Sequence, residues 1–351
     1  MPCSRRNLLS GTLAVAGTLA AGSTTGCRRD RTTPPEADPS PEQRVKHPEL
    51  EPAYLDLERT GELARRERKL WAALEKCRTC PRECEVNRLA GESDVCRATD
   101  ELRVSSAMPH FGEEPPLVGR NGSGTIFFSH CNLRCCFCQN WEIAHEGEGA
   151  NISHETLSQA MLALQARGCH NVNLVTPSHV VPHILRALRI AIAGGLRIPL
   201  VYNTGGYDRL ETIRELDGVI DIYMPDFKFQ DGKQAHKYCQ QADDYPEVAA
   251  AAIKEMHRQV GVLQTDEHGV ATRGVILRHL VMPNNVAGTD RLVTWVAREL
   301  SPKTYFNLMA QYRPEHRARE YPEIARRLDS REWEQAVEWT KAAGLTNLAR
   351  G

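Results

Sequence analysis

Twelve of the 351 residues are cysteine, and eight of those twelve fall in two tight groups, Cys77 to Cys96 and Cys131 to Cys138. Spacings of two or three residues are too short for a framework of separate disulfides and suit thiolates converging on a metal or cluster. Cys131, Cys135 and Cys138 have the pattern Cys-x3-Cys-x2-Cys. Three thiolates from one loop can hold three irons of a four-iron, four-sulfur (4Fe-4S) cluster, and the loop supplies no fourth ligand. An iron without a protein ligand is an open site for a substrate or cofactor. Zinc prefers four closed ligands, which this loop lacks. Cys136 interrupts the run, and local geometry turns its side chain away from its neighbours.

The other group, Cys77, Cys80, Cys84 and Cys96, offers four thiolates in a 20-residue segment. That set suits a closed structural zinc site holding together a segment too small to fold on apolar burial alone. A second iron-sulfur cluster that relays electrons to the first is the competing reading, and two disulfides are a third in an oxidising compartment.

The elements that must position these residues follow from periodicity. Leu63, Leu70, Trp71 and Leu74 recur at helical spacing over about Tyr54 to Lys76. Beyond Gly119, short apolar runs alternate with amphipathic segments. Strands are expected at Thr125 to Ser129, Asn171 to Thr176, Ile198 to Asn203, Val219 to Met224, Val275 to Met282 and Tyr305 to Met309. Helices are expected from the Ser153 cap to Gly168, and at Val181 to Ala193, Asp208 to Leu216, Pro246 to Val260 and Thr289 to Leu300. Asp266 to Gly269 reads as a hairpin turn, and two more helices follow Pro314, at Tyr321 to Leu328 and Arg331 to Ala343. The alternation implies an α/β fold, an open partial (β/α)6 TIM-like barrel with its site at the carboxyl ends of the strands. The triad Cys131, Cys135, Cys138 follows directly on the first of these strands.

With Phe137 just before the last ligand, the triad resembles the radical S-adenosylmethionine (SAM) superfamily, and more specifically its pyruvate formate-lyase activating enzyme-like branch, a subgroup with an amino-terminal four-cysteine module. The resemblance runs from about Cys77 to Pro314 and is carried by CPRECEVNR (80 to 88), HFGEEPPLVGRNGSGTIFFSHCNLRCCFCQNWEI (110 to 143), NLVTPSH (173 to 179), VYNTGGY (201 to 207), DIYMPDFKF (221 to 229), RHLVMP (278 to 283) and NLMAQYRP (307 to 314). It implies a 4Fe-4S cluster that cleaves SAM reductively to a 5′-deoxyadenosyl radical, with a low-potential electron donor as one partner. A glycine of a glycyl-radical partner protein is the implied hydrogen donor. Asp226 and Lys228 match the family's Asp-x-Lys contacts to SAM; Asn203, Thr204 and Gly205 match the turn over the cofactor; Arg278 matches a SAM-facing arginine. Where relatives carry Gly-Gly-Glu for the SAM amino group, this chain has Thr176-Pro177-Ser178, so Ser178 or backbone carbonyls must serve. His179, His279 and Gln311 near strand ends are further candidates, each more readily structural than catalytic. Cys169 and Cys239 read as apolar packing residues.

Lys plus Arg number 44 against 45 Asp plus Glu, a formal charge of −1 that gives no field for nucleic acid. Residues 1–27, with Arg5-Arg6 before a short apolar stretch, read as a twin-arginine, lipoprotein-like signal, with Cys27 as a lipid-anchor position. Residues 28–52 read as a disordered linker, 53–118 as a helix plus four-cysteine module, and 119–351 as the barrel core with its terminal helices. The signal points to the cell envelope after folding, the chemistry to the cytoplasm. A non-catalytic iron-sulfur or zinc-binding envelope protein derived from the same fold is the rival reading.

Overall fold

The computed structural model describes residues 51–349, which belong to one compact unit. The signal-like segment, Cys3, Cys27 and nearly all of the linker lie outside the described residues.

The first helical stretch divides into α1 (Tyr54–Arg59) and α2 (Glu62–Ala72), because Gly61 adopts φ +76° and breaks the helical ladder between them. The quartet segment follows without long elements of its own. Then come β1 (Leu102–His110), a short turn of helix α3 (Pro115–Val118), and β2 (Ser123–Phe128), whose end launches the triad loop. After β3 (Ala150–Ile152) the chain alternates: α4 (His154–Ala166), β4 (Val172–Val175), α5 (Val181–Ala193), β5 (Leu200–Thr204), α6 (Leu210–Glu215) and β6 (Ile222–Pro225). Helices α7 (Gly232–Tyr238) and α8 (Tyr245–Val260) lead to β7 (Gln264–Thr265), β8 (Ala271–Leu280), α9 (Thr289–Glu299), β9 (Tyr305–Met309) and α10 (Ser330–Ala342).

Strands β2, β4, β5, β6, β8 and β9 pair in that order, all parallel, and β9 does not pair back to β2. The six expected strands are these six, in a sheet that stays open. Ser153 Oγ accepts the Thr156 N–H at the start of α4, and β7 turns antiparallel onto β8 at the expected hairpin. One expectation needs correction. Residues 321–328 form no α-helix, while α10 begins at an Asp329/Glu332 capping box. Within residues 53–118, β1 pairs antiparallel with β2 and β3 and extends the same sheet. The hydrophobic pattern of β1 is diluted by Ser105, Ser106, Pro109 and His110, so periodicity gives little sign of it.

Alternation along the strands divides the sheet into two faces. Leu174, Tyr202, Tyr223, Val275, Leu277 and Phe306 belong to the large core beneath the helices. Val201, Ile222, Met224, Ile276 and Tyr305 form a smaller buried cluster with Leu117 of α3, which covers the opposite, inner face. Asn171 Nδ2 donates to the Leu117 carbonyl at 2.9 Å and anchors that plug.

The quartet segment is bound to the core by polar contacts. Thr212 Oγ1 donates to the Thr79 carbonyl at 2.9 Å, and Arg209 Nε reaches Glu83 at 2.6 Å. The strongest tie is Arg88, only 1% exposed, whose guanidinium donates to the Thr99 carbonyl at 3.0 and 2.7 Å and to the His179 carbonyl at 2.7 Å. Substituting Arg88→Met strands those carbonyls away from water, a loss of about 3 kcal/mol. Urea unfolding of the variant, followed by circular dichroism, should show that loss; an unchanged midpoint would show that Arg88 is not the tie.

Candidate functional site

Left-handed residues shape the triad loop after β2: His130 at φ +73° and Arg134 at φ +49° bracket Cys131 to Leu133. The Leu133 N–H donates to Cys131 Sγ at 3.4 Å, and the Cys138 N–H to the Cys135 carbonyl at 3.2 Å. Cys136 is fastened through its backbone, its N–H to the Tyr238 carbonyl (2.8 Å) and its carbonyl to the Arg317 N–H (2.9 Å). Burial and the neighbouring Cys135 raise its thiol, which also lies in the electrostatic reach of Arg317 and Glu320. Phe137 is 5% exposed and packs edge-on to Phe229 at 5.9 Å, so it anchors the loop rather than facing the mouth of the sheet.

Burial and the neighbouring Cys135 push the Cys138 thiol up to about 12, and burial raises Cys131 as well. The Lys228 ammonium opposes both shifts. Cys135 moves the other way, mainly because Cys239 Sγ donates to its Sγ at 3.3 Å. Among the described residues no three His, Cys, Asp or Glu side chains come close enough together to hold a single metal ion. Three thiols spread along one loop, Cys135 buried and Cys131 and Cys138 half-buried, facing a cation, are a donor set for a multi-iron cluster, which is wider than one ion.

At the carboxyl ends of β5, β6 and β8 a half-buried charge cluster faces the same mouth. Asp226 Oδ1 accepts from Arg278 Nε at 2.7 Å and Oδ2 from Lys228 Nζ at 2.6 Å. Arg278 Nη2 also donates to Asn203 Oδ1 at 2.7 Å. Burial works against the Asp226 charge, yet Arg278 and Lys228 together hold its carboxyl below the ordinary range. Burial likewise opposes the charge on Lys228, and Asp226 and Cys135 more than compensate. Gly205 lies between Leu133 of the triad loop and Lys228; a Cβ there would stand 3.4 and 3.5 Å from their side chains. Four expected residues, Asn203, Asp226, Lys228 and Arg278, are thus brought together, with Gly205 beside them.

Thr204 and Ser178 are not brought there. Thr204 is one residue out of phase with Asn203, and its hydroxyl donates to Asp208 at 2.6 Å under the helices. Ser178 Oγ bonds Thr204 Oγ1 at 3.1 Å, and Tyr202 completes that buried set on Asp208 at 2.9 Å. Both side chains build the turn from the far face. Two residues that the spacing gave no reason to single out stand on the inner face instead: Glu113 and Glu114 approach Arg278 Nη1, each at 3.7 Å. Glu114 accepts from Asn307 Nδ2 at 2.9 Å, and its other oxygen is buried without a partner. Burial pushes Glu113 up to about 7, against the pull of Arg278. Only the closure of segment 110–118 over the sheet reveals this pair.

In the quartet, Cys77, Cys80 and Cys96 are buried and Cys84 half-buried, and all four interact electrostatically as reduced thiols. Burial pushes Cys84 up to about 11. The two cysteine groups touch: Arg82, inside the quartet, donates to the Asn132 carbonyl, inside the triad, at 3.0 Å. Arg134 lies within electrostatic reach of both Cys131 and Cys96.

No protein-family model matches the chain. It is 34% identical over 276 residues to "Uncharacterized protein MJ0674" of Methanocaldococcus jannaschii, an alignment covering 77% of this chain and 75% of that protein. Among solved structures, a structure of TYW1 with a lysine-pyruvate adduct bound aligns with a TM-score of 0.38 at 11% identity, covering 62% of this chain and 73% of that one.

The candidate histidines are structural. His179 Nε2 is 2.9 Å from the Ser129 carbonyl, where it locks the start of the triad loop. His279, one residue from Arg278, points to the opposite face, with Nδ1 2.6 Å from the Phe227 carbonyl and Nε2 2.9 Å from Thr289 Oγ1. Gln311 is exposed, and its carbonyl accepts from Gln139 Nε2 at 3.2 Å. Burial lowers His279 to about 4, so the unfolded chain takes up its proton first as the pH falls. His279 therefore contributes stability that is complete above about pH 6.5 and is lost as pH falls toward 4. A His279→Asn variant should show a flatter dependence there, by up to about 1.4 kcal/mol per pH unit. Urea midpoints between pH 4 and 7 measure it, and parallel curves would refute the assignment.

Proposed function

The chain belongs to the same family as the Methanocaldococcus jannaschii protein MJ0674, and for this member we propose, from the residues of its site, a radical SAM enzyme. The observation that carries the proposal is the Asp226, Lys228, Arg278 and Asn203 cluster standing at the strand ends, with Lys228 in electrostatic reach of Cys131, Cys135 and Cys138. With a 4Fe-4S cluster on those three cysteines, the site would supply the electron that cleaves bound SAM into methionine and a hydrogen-abstracting 5′-deoxyadenosyl radical.

The chain's own residues prepare that site. Lys228 and Arg278 present charged donors suited to a carboxylate, and Asp226 keeps both in place. The unpartnered oxygen of Glu114 offers an acceptor in a region where Ser178 has turned away. Phe137, Leu133 and the backbone ties of Cys136 exclude water from behind the loop.

The likeness of the quoted segments to activating enzymes extends the proposal to a glycine of a partner protein as hydrogen donor and to a low-potential protein as electron donor. The open edge between β9 and β2 supports it, since a polypeptide loop needs more room than a closed barrel gives. For the quartet the proposal is a structural zinc on Cys77, Cys80, Cys84 and Cys96: the structure does not gather three of these thiols around one ion position, so zinc binding would have to draw them together, and the burial of Cys77, Cys80 and Cys96 with little regular structure around them supports that.

Anaerobically reconstituted and reduced protein should release 5′-deoxyadenosine from SAM, and Cys131→Ala should abolish it; equal product from both would sink the enzyme. Asp226→Asn should weaken SAM binding by about 10- to 100-fold in calorimetry, since it removes the charge partner of two half-buried cations. Metal analysis of Cys77→Ala should show loss of zinc with iron retained. Loss of iron instead would make the quartet a second cluster.

A further inference from the structure

Cys239 has no place in either cysteine group, yet the fold puts its sulfur 3.3 Å from that of Cys135. The contact is built from several directions. Helix α7 ends at Cys239, whose N–H donates to the Ala235 carbonyl at 2.8 Å. The preceding residue, Tyr238, accepts the Cys136 N–H at 2.8 Å, which sets the end of α7 alongside the triad loop. The Cys239 carbonyl accepts from Arg82 Nη2 at 3.2 Å and from the Ala242 N–H at 3.2 Å. Cys239 is 0% exposed and Cys135 is 8% exposed, so water does not compete for the sulfurs.

We infer that Cys239 is a positioning residue for the triad cluster: its S–H donates a hydrogen bond to the Cys135 sulfur and raises the reduction potential of the cluster that Cys135 helps to hold. The inference rests on the cluster reading above. A hydrogen bond to a ligating sulfur disperses negative charge, and it stabilises the reduced cluster, which carries one more electron, more than the oxidised one. The 3.3 Å contact is read as a hydrogen bond to the ligating sulfur, and the iron count of the Cys239 variants separates that role from ligation. The Arg82 bond also links the quartet segment to this donor, so the same arginine that grips Asn132 in the triad loop holds the residue that tunes it.

The test compares wild type, Cys239→Ala, Cys239→Ser and Cys169→Ala, each full-length and reconstituted with iron and sulfide. Midpoint potentials come from redox titration followed by electron paramagnetic resonance without SAM, and iron and sulfide are counted per chain. Cys239→Ala is expected to keep the cluster and shift to a lower potential. Cys239→Ser, which keeps an O–H donor, and Cys169→Ala, which removes a buried thiol elsewhere, should stay near wild type. An unchanged potential in Cys239→Ala, equal shifts in the Ala and Ser variants, or loss of the cluster from both overturns the inference, the last by making Cys239 a ligand. Failure of the wild type itself to take up a cluster is a different result: it defeats the cluster reading, and this inference with it.

Discussion

Asp226 is the constraint on which the site depends. Two cations, Lys228 and Arg278, stand half-buried at the mouth of the sheet, where lost hydration must be offset by a partner of opposite charge held in good geometry. One carboxylate meets both, an oxygen to each. For that to happen, the end of β6 must lie beside β8 in parallel register, as the Asp226–Arg278 pairing does. Arg278 must also emerge on the inner face, where Asn203 takes its remaining arm and Glu113 and Glu114 approach from the covering segment. The open sheet thus has an electrostatic lock as well as a hydrophobic core.

Close by, the turn after β5 is shaped by the same strand end. Gly206 adopts φ +81°, and a Cβ there would stand 2.3 Å from the Asp226 carbonyl. Tyr245 Oη reaches the carbonyls of Gly205 and Asp226 and accepts the Lys228 N–H at 2.8 Å. Phase along β5 then separates two jobs one residue apart: Asn203 serves the inner face, and Thr204 joins Asp208, Tyr202 and Ser178 behind it. This buried polar set is fully bonded, which is how hydroxyls and a carboxyl persist under the helices.

The amino-terminal segment is integral to this arrangement. Arg88 secures it to the start of α5 through the His179 carbonyl, and Arg82 spans both the triad loop and the end of α7. These ties are long-range bonds between side chains and carbonyls, with no sequence periodicity to announce them.

Apolar period and ligand spacing are local properties, so the six parallel strands, most of the helices between them and the grouping of Cys131, Cys135 and Cys138 can be read directly from the order of residues. Asn203, Asp226, Lys228 and Arg278 were legible as well, each lying in a quoted motif at a strand end. Tertiary structure alone decided which face each side chain takes, so that Thr204 and Ser178 turn to the helices while Glu113 and Glu114 join the mouth. It alone placed Cys239 against Cys135, residues 104 apart in the chain. Strand phase, the closure of a covering segment and the meeting of distant loops are set by packing across the whole sheet, and no window of neighbouring residues contains them.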